Sequence, residues 1–176
     1  IAEMNDGIIL AKFEKSRIVK ETAYQSEADL ESHLIRNLRN QGYELLEISS
    51  AEDLYKNLKL QIEKLNRVSF TEEEWDRFLK EYLDAPNDGM IEKTRKIQED
   101  HIYDFIFDDG HIQNIKIIDK KDIHNNSLQL VHQLSVKGKY ANRYDVTILV
   151  NGLPLVHIEL KKRGMNLHEA FNQIHR

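Results

Sequence analysis

Cysteine is absent from the 176 residues, so disulfide bonds and thiolate metal sites are excluded, and a reducing compartment is compatible with the chain. Proline occurs twice and glycine seven times, too rarely for long linkers or a low-complexity segment. No apolar run reaches bilayer-spanning length, and the first residues lack the basic-then-apolar order of a signal peptide. The expected location is therefore cytoplasmic, with no membrane partner. Positive charge is also in deficit: a formal net charge of −5 rules out a chain that is basic over its whole surface. Binding to a polyanion would need local basic patches or a partner that supplies most of the phosphate contacts. No GxxxxGK[ST] loop occurs, which removes that route to nucleoside triphosphates, and the eight histidines show no zinc-ligand spacing.

What remains is the length of one ordinary domain. Residues 26–41 carry Leu30, Leu34, Ile35 and Leu38 at helical spacing, with Ser26 placed as a cap and Gly42 as the stop. A short strand is expected in "YELLEI". Helices are expected over 51–66 and 71–84, the second opened by a Thr71/Glu74 capping box with Phe70 and Trp75 as its hydrophobic staple. Beyond about residue 97 the period changes from helical to alternating. Two strands flank Asp109-Gly110, "SLQLVHQLSV" predicts a third, and 143–161 predicts a hairpin. "NLHEAFNQIHR" predicts a closing helix opened by Asn166 and Glu169. Together these give an α/β class: a central mixed sheet, its meander spanning about 100–161, flanked by helices 26–41 and 166–176, with a helical insertion at about 51–96 as an appendage. The first residue is Ile1 and the last helical pattern is cut at Arg176, so the expectation is a single domain that is a fragment of a longer chain.

The hairpin "RYDVTILVNGLPLVHIELKKRG" places charge inside the most apolar stretch of a polar chain. Residues two apart on a strand share a face, so His157, Glu159 and Lys161 point one way, and Val156, Ile158 and Leu160 point the other, toward a core. Whether Asp145 joins Glu159 depends on register. A two-residue Asn151-Gly152 turn puts the two carboxylates on opposite faces. A three-residue turn puts them on one, as does a β-bulge between them. The pattern alone permits each. If the face is shared, two carboxylates and a lysine converge, an arrangement suited to a hard divalent cation such as Mg²⁺ beside a phosphate, with Lys161 placed to orient a water or stabilise developing negative charge.

Asp145, thirteen residues, then Glu159-Leu160-Lys161 is similar to the PD-(D/E)xK nuclease signature. The flanking text is more specific: "RYDVTILVNGLPLVHIELKKRG…EAFNQI", together with "SEADLESHLIRNL…GYELL", resembles the nuclease domain of the endonuclease/motor (R) subunit of type I restriction enzymes. That resemblance implies a restriction-endonuclease-like core and Mg²⁺-dependent cleavage of duplex DNA. It also implies an ATP-driven translocase in later domains of the full-length chain, and specificity and methyltransferase subunits as partners. By position it implies Asp145 and Glu159 as metal ligands, the Leu160 carbonyl as a further ligand and Lys161 as the catalytic lysine. Glu31 matches the acidic position of the family's first helix, and Gln173 the glutamine of a glutamine-x-x-x-tyrosine motif whose tyrosine would fall just after Arg176. One departure is that Tyr144 stands where the signature has proline.

Each feature also has a plainer reading. Asp145, Glu159 and Lys161 would serve equally as a cross-strand ion pair, worth roughly 0–1 kcal/mol at a surface. Glu31 and Gln173 would be solvated helix residues, Lys161-Lys162-Arg163 a solvated strand end, and His157 a satisfied strand histidine. The tyrosines and phenylalanines of the meander are expected in the core. A different class of function, a nuclease-fold domain that mainly docks motor and methyltransferase partners, is the alternative, with the helical insertion as its contact surface.

Overall fold

The computed structural model describes residues 2–4, 7–9, 26–137 and 141–161, with side chains for 26–134 and 144–161. Two short strands, β1 (Ala2–Met4) and β2 (Gly7–Ile9), pair antiparallel. Helix α1 (Glu27–Asn40) is capped by Ser26, whose hydroxyl accepts from the Asp29 N–H while Asp29 reaches back to the Ser26 N–H. Gly42, at φ 95°, follows as expected. The apolar stripe of α1 is only half-buried. Strand β3 (Glu44–Leu46) leads into α2 (Ala51–Asn66), then α3 (Glu72–Phe78), a π-helical turn at Leu79–Leu83, and α4 (Met90–Gln98). The Thr71/Glu74 capping box and the Phe70–Trp75 contact form as expected, the rings 5.6 Å apart.

The β4 (Ile102–Ile106) and β5 (Ile112–Lys116) hairpin turns at Gly110, then β6 (Leu128–His132), β7 (Ser135–Lys137), β8 (Ala141–Arg143), β9 (Val146–Val150) and β10 (Leu153–Ile158) follow. The main sheet has the order β10-β9-β6-β3, mixed because β3 runs parallel to β6 while the other neighbours are antiparallel. The expected single meander is corrected here. β4 and β5 form a two-stranded sheet of their own, as do β7 and β8. Gln133, at φ 56°, breaks the predicted third strand into β6 and β7. The expected helix at 166–176 lies outside the described residues.

The helical insertion is no appendage. Its Leu58, Ile62, Phe70, Trp75, Phe78 and Tyr82 pack with Phe105, Phe107, Ile115 and Ile117 of the β4–β5 segment into one buried cluster. Both elements present one apolar face, and neither can bury it alone, so each covers the other. A smaller cluster of Val131, Leu134 and Leu149 sits on the main sheet against Leu46, Ile48 and Leu54. Between the two lies a polar seam. Gln129, fully buried, donates to Asn57 and Glu44, and Asn57 donates back to Gln129 at 3.0 Å.

Candidate active site

The turn of the β9–β10 hairpin is held from two sides. Asn151 and Gly152 both have positive φ, 51° and 81°, the type I′ geometry that matches the twist of flanking strands. A Cβ on Gly152 would stand 2.6 Å from the Leu58 Cα, so the turn abuts the α2 backbone directly. The Asn151 side chain is buried and donates to the Ile117 carbonyl at 3.0 Å and to Asn126 at 2.7 Å, while accepting from the Ser127 N–H. Asn126 in turn is tied to the Asp119 backbone. Asp119 accepts from the Lys121 and Asp122 N–H groups and from Asn125, and these bonds hold its carboxyl well below the usual carboxylate range.

Register decides what the far end of the hairpin can do. From the two-residue turn, Leu153 pairs with Val150 and Pro154 with Leu149. That parity would separate the carboxylates. Leu155 is then left unpaired in a bulge, and the pairing resumes as Val156 with Ile148, His157 with Thr147 and Ile158 with Val146. Continued by one residue, this register sets Asp145 opposite Glu159. That parity is the one that would put both on the face of Thr147 and His157, whose side chains touch at 3.0 Å. Of the two routes to a shared face, the bulge is the one used.

At that end the Leu160 N–H donates to Asp145 Oδ2 at 2.7 Å, and Lys161 Nζ donates to Glu159 Oε1 at 2.6 Å. The Glu159 side chain is 3% exposed and that of Lys161 20%. A carboxylate so buried needs a cationic partner, and Lys161 supplies it. The hydrogen bond to Glu159, aided by the more distant charges of Glu27 and Asp145, raises the Lys161 pKa against the opposing effect of burial. Lys161 is therefore a fixed ammonium at neutral pH. Asp145 Oδ1 and Glu159 Oε2 make no hydrogen bond among the described residues, so each carboxylate keeps an uncommitted oxygen. That donor set, hard oxygens with a free atom apiece, fits Mg²⁺. Among the described residues no three His, Asp or Glu side chains converge as a ready-made metal cage, so the remainder of such a shell would come from backbone carbonyl, water or substrate.

The backbone at Asp145 is anchored by β6: the Gln133 N–H donates to the Asp145 carbonyl at 2.9 Å, and the Tyr144 N–H to that of Leu134 at 3.2 Å. Glu31 reaches this row of the sheet from α1. Its Oε1 is buried and 3.2 Å from His132 Nε2, yet the pair is too poorly aligned for a hydrogen bond. Glu31 thus does not join Asp145 and Glu159 in a metal-holding cluster, and Gln173 lies outside the described residues. The expected burial of Val156 behind the site is also corrected. Among the described residues β10 is the outermost strand of the sheet, and Val156 is 45% exposed. Three contributors escaped the sequence reading. Glu27 acts on Lys161 one helical turn before Glu31, His132 faces Glu31, and Tyr144 stacks on His157 with ring centroids 4.0 Å apart. Helical spacing marked Glu27, since it shares the face of Glu31; the other two depend on strand pairing.

Residues 24–176 match the family described as type I restriction enzyme R protein N terminus. The chain belongs to that family. It is 53% identical over 177 residues, all of its length, to the type I restriction enzyme EcoprrI endonuclease subunit of Escherichia coli, and spans 56% of that protein. It is 36% identical over 158 residues, 87% of its length, to the SsaAORF53P endonuclease subunit of Staphylococcus saprophyticus, and spans 16% of that one. The chain therefore corresponds to part of those longer subunits. Within the family frame, the α/β core and its mixed sheet agree with the nuclease-like architecture expected from the motif. Among the described residues, no helix is long and apolar enough to cross a membrane.

Proposed function

We propose that this domain is the Mg²⁺-dependent nuclease of a type I restriction enzyme endonuclease subunit, hydrolysing phosphodiester bonds of duplex DNA. The observation that carries the reading is the bulge at Leu155, whose register, carried one residue past Ile158 and Val146, sets Asp145 opposite Glu159, to which Lys161 is bonded. A bulge beside a charged pair is a device for re-aiming a side chain, and a plain surface ion pair would need none.

Asp145, Glu159 and the Leu160 carbonyl would hold the cation, which when bound neutralises phosphate charge and acidifies a water. Lys161 remains protonated and stabilises negative charge on the phosphoryl oxygens as the phosphorus–oxygen ester bond breaks. The Leu160 N–H fixes the Asp145 carboxylate, leaving its other oxygen for the cation. Glu31 and Gln173 belong to the same site in this reading, as supports of water and substrate. ATP hydrolysis and translocation are assigned to later domains of the full-length subunit, and DNA recognition to specificity and methyltransferase partners in a cytoplasmic complex.

The test uses the full-length subunit assembled with its partners. Asp145→Ala, Glu159→Ala and Lys161→Ala are each expected to abolish plasmid cleavage while ATP hydrolysis and translocation persist. Parallel loss of ATPase would point instead to a docking role for the domain, and full cleavage by any of the three would defeat the assignment.

A further inference from the structure

His157 sits on the face of Asp145 and Glu159, two residues before Glu159 on the same strand, about 7 Å along it. It is exposed, on the outermost of the described strands, but its ring is not free to turn. Tyr144 lies flat against it, centroids 4.0 Å apart and planes 16° from parallel, and Thr147 Oγ1 is 3.0 Å from Nδ1. Two independent contacts therefore fix the ring plane and its rotation.

They also fix which nitrogen carries the proton. Thr147 is fully buried, and Nδ1 is the partner its hydroxyl has among the described residues. A buried hydroxyl that donated to nothing would cost about 1–3 kcal/mol, so it gives its hydrogen to Nδ1. Nε2 then bears the N–H. That N–H makes no hydrogen bond among the described residues, and the residue as a whole is exposed. The result is a rigidly aimed donor two residues before Glu159, on a chain whose net charge of −5 makes every DNA contact valuable.

Resting on the nuclease reading above, we infer that His157 Nε2 donates a hydrogen bond to a backbone phosphate oxygen of the DNA strand being cut, adjacent to the phosphate held at Asp145 and Glu159. The offset along β10 is of the order of the spacing between successive phosphates of one strand. Phosphate contacts of this kind set the register of the duplex without reading bases. His157 is thus a positioning residue for the scissile strand, with Tyr144 and Thr147 as its supports.

Two substitutions separate this role from a structural one, because they predict opposite orders. His157→Phe, made on a Thr147→Val background so that no buried hydroxyl is left unpaired, keeps the flat ring against Tyr144 and removes the donor. His157→Gln sacrifices the stack and keeps an N–H donor. In the assembled full-length enzyme acting on a plasmid that carries its own recognition site, His157→Phe is expected to slow single-turnover cleavage about ten- to a hundredfold. His157→Gln should stay within a fewfold of the unmodified enzyme, and ATP hydrolysis should be unchanged in both. A Phe variant that cuts normally, or a Gln variant slowed as much as Phe, overturns the inference. Glu159→Ala is run alongside. If it still cuts, the nuclease reading itself fails, whereas an inert Glu159→Ala with a fully active His157→Phe removes only the phosphate contact.

Discussion

Around Phe78, aromatic rings from α2–α3 and the β4–β5 hairpin close on one another, with Phe70 in contact with Trp75, Phe78, Phe105 and Phe107 at 5.4–5.6 Å. The sheet that carries Asp145 and Glu159 is built otherwise. Its cluster is aliphatic and small, and buried Gln129 and Thr147 interrupt it. The helical half supplies large apolar area per residue, and with it stability. The sheet half accepts buried polar groups and a buried carboxylate, which cost stability unless paired, in exchange for a fixed arrangement of charge. The two meet at the Asn151-Gly152 turn, so the aromatic half serves as the footing on which the β9–β10 hairpin stands.

The strongest way to break this division is to hollow out the aromatic half. Phe78→Ala removes a ring with no exposed surface that contacts Phe70, Trp75, Tyr82, Tyr103 and Phe105. It should cost about 3–5 kcal/mol in urea denaturation, and an equivalent cavity in the sheet, Leu149→Ala, about 2–3. Equal losses would contradict the division.

Next comes the junction. Gly152→Ala both strains a residue at φ 81° and drives a methyl into the α2 backbone, so a loss of about 2–3 kcal/mol is expected. Because the turn anchors the hairpin, DNA cleavage should fall at temperatures where the fold is still intact by circular dichroism.

Within the site, Lys161→Ala leaves the Glu159 carboxylate, 3% exposed, without its cation and should cost about 1–2 kcal/mol in the absence of divalent metal. Added Mg²⁺ should raise the thermal midpoint of this variant more than that of the unmodified protein, since the metal then supplies the missing charge. An equal rise in both would argue against a cation at that carboxylate.

The smallest effect is expected from Asp119→Asn, and its mark is pH dependence. The folded state holds the Asp119 carboxyl below its ordinary value through N–H donors, so this stabilisation is present above the unfolded pKa, about 3.9, and is lost as pH falls toward the folded value. Denaturation midpoints of the two proteins should differ most at neutral pH and converge below about pH 4.

Much of this was legible in the chain. The capping boxes at Ser26 and Thr71, the Asn-Gly turn and the alternating apolar strands are local signals, set by steric and hydrogen-bonding rules that act over a few residues. The Asp145/Glu159/Lys161 triad stood out for a similar reason, since charge in an apolar strand demands a use. What escaped was of longer range. The β4–β5 hairpin left the expected meander because its inner face, Phe105, Ile115 and Ile117, finds a better partner in α2 and α3 than in β6, a choice that depends on residues 27 to 59 positions away, from Phe78 to Phe105 and from Leu58 to Ile117. The stacking of Tyr144 on His157 and the approach of Glu31 to His132 depend in the same way on which strands pair.

Side-chain periodicity and turn chemistry are written into neighbouring residues, so they told where strands and helices lie and that Asp145 and Glu159 share a face only with a longer turn or a bulge. Choosing between those routes required the contacts of the turn. The two-residue form is selected because Gly152 packs on Leu58 and Asn151 is tied to the 117–127 loop. With the turn pinned, the bulge at Leu155 is the step that restores the parity in which residues 145 and 159 would share a side. A strand alternates with period two whatever its surroundings. Where an extra residue is inserted is decided by the packing at its ends.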